Sequence, residues 1–380
     1  MVVLVAPIHP FRGGIADTTA AFAQSLIQQG EEVCVISFTT LYPKLLFPGK
    51  TQYTTDQKEL DFATISTINS LNPFSWLRTT KHIKSLKPKL VVFRYWTPWL
   101  AMCYAAIAKN INIKKVAWVD NALPHERKTA DKFLLNTFLG SVDEILCMSS
   151  SVSKELKKHT QKNITTCFHP VDIDLPAPIS QEVAKEKLAL DPSLEYLLFF
   201  GLIRPYKGLD LLIKSLPQLR QNKPNARLLV VGEPYEPMRK YRELLASLKV
   251  DDMVFFHDRF VPTAQIPFWF GACDWVVQPY KSATQSGITP MAIHYAKPSI
   301  VTHVGSLSDG ITAKTGLVCE PNPTALSQTI TKALTEKKQF SDVRAYKSLQ
   351  EKRSWTAFCK DFINTLSLIH ISEPTRRRGI

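Results

Sequence analysis

The chain has 380 residues, of which 45% are hydrophobic and 21% charged, and its formal net charge is +14. That length is too great for one ordinary hydrophobic core and predicts two domains, while the composition excludes a disordered or fibrous chain. No apolar run approaches the roughly 18 residues of a membrane-spanning helix, and the basic excess reads first as solubility and second as attraction to a polyphosphate or to anionic lipid.

From the first residue onward, short β-rich apolar runs alternate with helical patterns. Strands are predicted at 2–7, 32–38, 89–96, 115–120, 144–150 and 164–170, and then at 195–201, 226–232, 253–258, 275–280 and 298–304. Apolar runs of this kind, separated by helices, describe strands buried on both faces in parallel sheets built from βα units. The proline-rich stretch PVDIDLPAPIS at 170–180 reads as a linker. The expected fold class is therefore α/β, with two doubly wound, Rossmann-like parallel-sheet domains at 1–172 and 173–345. Seven cysteines are scattered singly, without a CxxC pair or a secretory leader. They read as reduced, mostly buried thiols of a cytoplasmic protein without disulfides. The last stretch, LSLIHISEPTR from Leu366 to Arg376, resembles the in-frame translation of a transposase sequencing adaptor. Residues 366–380 are accordingly set aside from the fold, which leaves a charge of about +12 and implies that the natural C-terminus is missing.

In open parallel sheets, ligands sit beyond the carboxyl ends of the strands, and four loops there carry chemistry. After the first strand, Gly13 and Gly14 precede a helix with apolar positions Ile15, Ala20, Ala21, Phe22 and Leu26. That arrangement suits an anion or, equally, a tight turn. No GxGxxG is present, and Ser37 and Phe38 stand where a ribose-binding acid would end the second strand. After the strand at 195–201, the segment FFGLIRPYKGLD places Arg204 and Lys207 between Gly201 and Gly208, at the start of a helix with Leu209, Leu212, Ile213 and Leu216 on one face. Two cations beside a helix N-terminus suit a diphosphate; the Lys-Gly order is not that of a P-loop. A third loop offers Thr284, Gln285, Ser286 and Gly287 before another helix, a cradle for phosphate or sugar. In the first half, WVDNALPHE brings Asp120, Asn121, His125 and Glu126 after a strand, and a histidine beside a carboxylate can orient a hydroxyl or take a proton. The nine histidines do not cluster with cysteines and no HExxH occurs, so no structural metal is expected.

In their order along the chain, these segments resemble the GT-B glycosyltransferases, specifically the retaining group called glycosyltransferase family 4. FRGGIADTTAAFAQSL, FFGLIRPYKGLDLLIKSLPQL, VVGEPYEP, DRFVPTAQIPFWFGACDWVVQPY and KPSIVTHVGSL carry the resemblance, which spans nearly all of residues 1–365. It implies two domains facing each other across a cleft, with the helix at 346–365 packing back towards the first. It further implies that Arg204 and Lys207 act on the diphosphate of a nucleotide sugar, with Gly13 and Gly14 closing over it and Gly201 beside it. The nucleobase would lie near Phe260 and Val261, Gln285 or Thr284 would hold the sugar, Ser286 and Gly287 would belong to the same donor-binding loop, and His125, Asn121 and Glu126 would face the transferred sugar or acceptor. No cofactor is implied beyond the nucleotide-sugar donor itself, and the acceptor would be a glycan or a lipid-linked glycan. One departure stands out. The family usually carries two glutamates eight positions apart; aligning on Gly287 puts Thr284 and Ala292 there, and aligning on Pro298 puts Ala283 and Met291. Two other readings share these residues: a sugar-nucleotide epimerase of the same fold and a non-catalytic sugar-nucleotide-binding partner of another transferase. NPFSWLRTTKHIKSLKPK, at 72–89, mixes Phe74, Trp76 and Leu77 with five basic residues. It reads first as a helix with a solvated basic face and second as a peripheral dock on an anionic membrane at its inner face. Nucleic-acid binding is not expected.

Overall fold

The computed structural model describes residues 1–43, 52–54, 60–124, 129–171 and 175–365. The first half runs β1 (Val2–Val5), α1 (Gly14–Gln28), β2 (Val33–Thr40), β3 (Ala63–Asn69), α2 (Pro73–Leu86), β4 (Leu90–Tyr95) and α3 (Ala101–Lys109). It continues through β5 (Lys114–Val119), α4 (Thr129–Leu139), β6 (Glu144–Cys147), α5 (Ser150–Leu156) and β7 (Ile164–Thr166). Among the described residues these strands form one parallel sheet in the order β3-β2-β1-β4-β5-β6-β7. Residues of β1 alternate between its two faces: Val3 and Val5 join the core under α2, α3 and α4, whereas Val2 and Leu4 join the core under α1. Burial on both faces is why VVLV is wholly apolar and LVVFRY apolar but for the buried Arg94, with no solvated position in either.

The second half contains α6 (Gln181–Lys187), β8 (Glu195–Phe200), α7 (Leu209–Asn222), β9 (Ala226–Val231), α8 (Arg239–Leu248), β10 (Val254–His257) and α9 (Ile266–Ala272). Then follow β11 (Trp275–Gln278), α10 (Ile288–His294), β12 (Ser299–Thr302), β13 (Gly316–Cys319), α11 (Pro323–Thr335), α12 (Val343–Lys352) and α13 (Trp355–Thr365). Its strands order as β10-β9-β8-β11-β12-β13, again with every pairing parallel. In each sheet the strand order reverses direction beside the first strand of the half, β1 or β8, which is where a crevice opens in doubly wound folds.

Two strands escape the sequence pattern. β3 lies at an edge and is exposed at Ala63, Thr64 and Ser66, and β13, at the edge of the other sheet, opens on Gly316 and leaves Val318 exposed. The predicted strand at 144–150 ends at Cys147, because Ser149 caps α5 by accepting from the Val152 N–H. The stretch at 346–365 is two helices, α12 and α13, separated at Arg353 and Ser354. α13 returns to the first domain, where Phe358 and Phe362 pack edge-on against Phe22 of α1 at 5.6 and 5.0 Å between ring centres. All seven cysteines are free thiols, six of them buried.

Candidate active site

The end of β8 builds an inward-facing cation. Gly201 follows the strand with φ 95°, Arg204 opens a single 3-10 turn at Pro205–Lys207, and Gly208 adopts φ 70° before α7 begins. A side chain on Gly208 would put its Cβ 1.9 Å from the Pro279 carbonyl oxygen, so glycine is what lets this turn lie flat against the end of β11. The turn is fastened there by the Lys281 N–H, which donates to the Tyr206 carbonyl at 2.7 Å, and by the Lys281–Asp210 ion pair at 2.8 Å. Leu209, Leu212, Ile213 and Leu216 of α7 anchor its other end in the core.

Lys207 is left 7% exposed, its Nζ 5.5 Å from the centre of the Tyr280 ring and 3.0 Å from the place a Cβ on Gly201 would occupy. Among the described residues neither a carboxylate nor a hydrogen-bond acceptor meets that ammonium. Burial, reinforced by the neighbouring Arg204 charge, brings its pKa down to about 8. Arg204 stacks over Tyr235 at 4.7 Å, and its Nε is buried without a partner. Two cations carry donors here and meet no acceptor among the described residues, and a buried charge without a counter-charge is costly until something neutralises it.

Across the cleft, Gly13 adopts φ 111° at the head of α1, and no side chain caps the helix, which leaves its dipole end open. Its neighbour Arg12 reaches over to Glu233 at 3.2 Å, in the loop after β9, and lies 5.6 Å from the centre of the Phe260 ring. Phe260 is 55% exposed, whereas Val261 is a core residue packed with Leu229 and Val231. Only the backbone of Val261 is therefore free to meet a base.

A second seam joins the domains deeper in the cleft. Thr284 donates to Asn121 at 2.6 Å, and its carbonyl accepts from Ser149 at 2.6 Å and Ser151 at 3.1 Å. Ser306 accepts from Ser149 at 2.9 Å and from the Ser151 N–H at 2.8 Å. Beyond it lies a cavity of about 170 Å3 lined by residues of both domains, among them His169, Gln285, Ser286, Asp309 and Arg353. Gln285 Oε1 is buried there without a partner. Ser286 shares a hydrogen bond with Tyr280 at 3.2 Å, and Gly287 caps α10.

Of the predicted residues, Gly201, Arg204 and Lys207 converge on one loop and Gly13 and Gly14 stand on the opposite side. Thr284 and Asn121 touch each other, and Gln285 and Ser286 turn to the cavity. His125 and Glu126 lie outside the described residues. Where the glutamates were sought, Ala292 and Ala283 are buried and Met291 packs against the same core cluster as Ala292. Sequence reading missed Arg12, Glu233 and the serines at 149–151, because their partners lie 133 to 221 positions away and no local pattern marks them. Among the described residues no group of three or more His, Cys, Asp or Glu side chains is placed to hold a metal ion.

Two family patterns cover most of the chain: residues 12–175 match Glycosyltransferase Family 4 and residues 180–350 match Glycosyl transferases group 1. A D-inositol 3-phosphate glycosyltransferase of Pseudarthrobacter chlorophenolicus is 30% identical over 183 residues, which is 46% of this chain and 43% of that protein. The chain thus matches less than half the length of this curated relative. Among solved structures, HepE of Anabaena in complex with UDP and glucose superposes with a TM-score of 0.76 at 14% identity, over 97% of this chain and 100% of that one. Sucrose-phosphate synthase of Thermosynechococcus elongatus gives 0.75 at 15% identity, over 98% and 99%. At such identities the likeness is one of fold.

Proposed function

The chain belongs to the group 1 glycosyltransferases of the GT-B fold, and from that premise we propose that it moves a sugar from a nucleoside-diphosphate donor to a glycan or lipid-linked glycan, with retention and without a metal. The observation that carries this reading is the buried Lys207, which meets no carboxylate among the described residues, beside the partnerless Nε of Arg204 and opposite the uncapped head of α1. A diphosphate supplies what that loop lacks, and HepE of Anabaena, alike in fold, has been solved with UDP and glucose.

In this reading the bond from the sugar C1 to the diphosphate oxygen breaks, and its electron pair leaves with the diphosphate. The acceptor oxygen attacks C1 from the face that the leaving group vacates, and its proton passes to a departing phosphate oxygen. Lys207, Arg204 and the α1 dipole stabilise the charge that grows on that oxygen. No protein nucleophile is needed. Phe260 offers its exposed ring to the base, and Gln285 and Ser286 hold sugar hydroxyls through neutral hydrogen bonds.

The acceptor side fits a membrane surface. No Asp or Glu occurs between Asp61 and Asp120, a stretch with nine Lys and Arg residues. On α2 and its flanks, Phe74 is 82% exposed, Leu77 and the preceding Leu71 are exposed too, and Arg78, Lys81, Lys84 and Lys87 continue the exposed surface. No helix among the described residues is long and apolar enough to cross a membrane, so contact would be peripheral.

The central test is a thermal-shift panel of UDP, GDP, ADP and dTDP on the wild type and on Lys207→Ala. One diphosphate should stabilise the wild type selectively and leave the variant unmoved. No shift with any of the four would end the nucleotide-sugar reading. Flotation with anionic and neutral vesicles at low salt tests the surface, and absence of the protein from both lipid fractions would end the membrane reading.

A further inference from the structure

A buried arginine lies beneath the glycine loop, outside the groups assigned above. Arg94, on β4, forks onto Asp120 at the end of β5, with Nε to Oδ2 at 2.8 Å and Nη2 to Oδ1 at 3.2 Å. Its remaining nitrogen, Nη1, donates to the Ile15 carbonyl and to Thr19 Oγ1, both at 3.1 Å. The guanidinium also stacks on Trp118 at 4.1 Å. Both charged side chains are 6% exposed or less.

Each of these contacts reaches a working loop. Ile15 and Thr19 belong to the first turns of α1, directly after Gly13 and Gly14. Asp120 immediately precedes Asn121, which receives the Thr284 hydrogen bond from the other domain. One planar group therefore fixes the head of α1 relative to the Asn121 loop, and through that loop relative to the second domain. A lysine could not do this, because a single ammonium lacks the fork that spans Asp120, Ile15 and Thr19 together.

We propose that Arg94, held by Asp120, is a positioning residue for sugar transfer. It sets the glycine loop and the Asn121 loop in the geometry that the reacting groups require, without touching substrate. The proposal rests on the reading of the chain as a nucleotide-sugar-dependent transferase. It separates from it because Arg94 belongs to the first domain and the diphosphate cations to the second. A purely structural pair would affect folding and nothing else.

Two variants test it. Arg94→Lys keeps a cation against Asp120 and loses the fork. Arg94→Met/Asp120→Leu replaces the pair with apolar side chains of similar volume, an exchange that buried ion pairs commonly tolerate without loss of stability. Both should melt cooperatively within a few degrees of the wild type and keep its stabilisation by the preferred nucleoside diphosphate. Release of that diphosphate from the matching nucleotide sugar should fall about 30- to 100-fold in kcat, with donor KM within about threefold. Deuterium exchange at the amides of the first turn of α1 should quicken in both. Wild-type kcat in both variants would overturn the proposal, as would a loss of kcat matched by a proportionate loss of melting temperature, or unchanged exchange in that turn. If no diphosphate stabilises the wild type, the transferase reading fails first, and exchange with cooperative melting then decides whether Arg94 positions the loop.

Discussion

Two arginines, one in each domain, have opposite surroundings: Arg94 is buried and Arg204 half-buried. Arg94 is saturated: Asp120 takes two of its bonds, Ile15 and Thr19 take others, and Trp118 covers its face. Arg204 keeps a buried Nε without a hydrogen-bond partner and stands next to Lys207, which is buried and meets no carboxylate among the described residues. In a low-dielectric setting a saturated cation holds structure together, while an unsaturated one costs stability until a ligand arrives. In the proposed reading, the same residue type thus positions loops on one side of the cleft and meets the diphosphate on the other.

Substitutions should break this contrast in opposite directions. Lys207→Met should lower turnover about 1,000-fold, as loss of preorganised charge at a leaving group does, yet the unliganded variant should melt above the wild type near pH 7. A lower melting temperature would mean that Lys207 has a partner in the resting protein. Arg94→Met alone should do the reverse to stability, costing about 3–5 kcal/mol by stranding Asp120; denaturant unfolding measures it. Gly208→Ala should cost about 3 kcal/mol, through the contact with the Pro279 carbonyl and the strain at φ 70°. It should also weaken diphosphate binding by displacing Lys207.

The pH dependence sharpens the comparison further. Lys207 titrates near 8 in the folded protein against 10.5 for a free lysine. Between those values the unfolded chain holds more protons, so this group makes the unliganded protein more stable as pH rises from about 8 to 10.5. Below pH 8 that contribution is absent. A bound diphosphate draws the proton back, so affinity should fall by at most about tenfold per pH unit above 8, and calorimetric titration at pH 7, 8 and 9 would measure it. Thr284→Val should have the smallest effect, about 1 kcal/mol of interdomain contact from the lost bond to Asn121, visible as an altered diphosphate affinity with unchanged melting of each domain.

Most of the fold was legible because its strands are buried on both faces and so stand out as unbroken apolar runs. β3 was not legible: ATISTIN interleaves polar residues on a wet edge, and GLVC of β13 opens on a glycine and leaves Val318 exposed. Within the site, Arg204 and Lys207 were legible because glycines and a helix start frame them locally. The fastening of Gly208 under Pro279, the Arg12–Glu233 bridge and the Arg94 fork were not, since each joins residues that only the folded chain brings together. Sequence periodicity records which face is apolar; it does not record which distant carbonyl a guanidinium will find.

The aromatic packing of α13 on α1 has a consequence for biosynthesis. Phe22 and Trp118 belong to the first domain, but Trp355, Phe358 and Phe362, which cover them, leave the ribosome only after the whole second domain has been made. During that interval a large apolar flank of the nascent protein stays open to water, an invitation to chaperones and to aggregation. Translation that stops short of residue 355 should therefore yield a first domain that is made but not soluble, even though every strand of its sheet is already present.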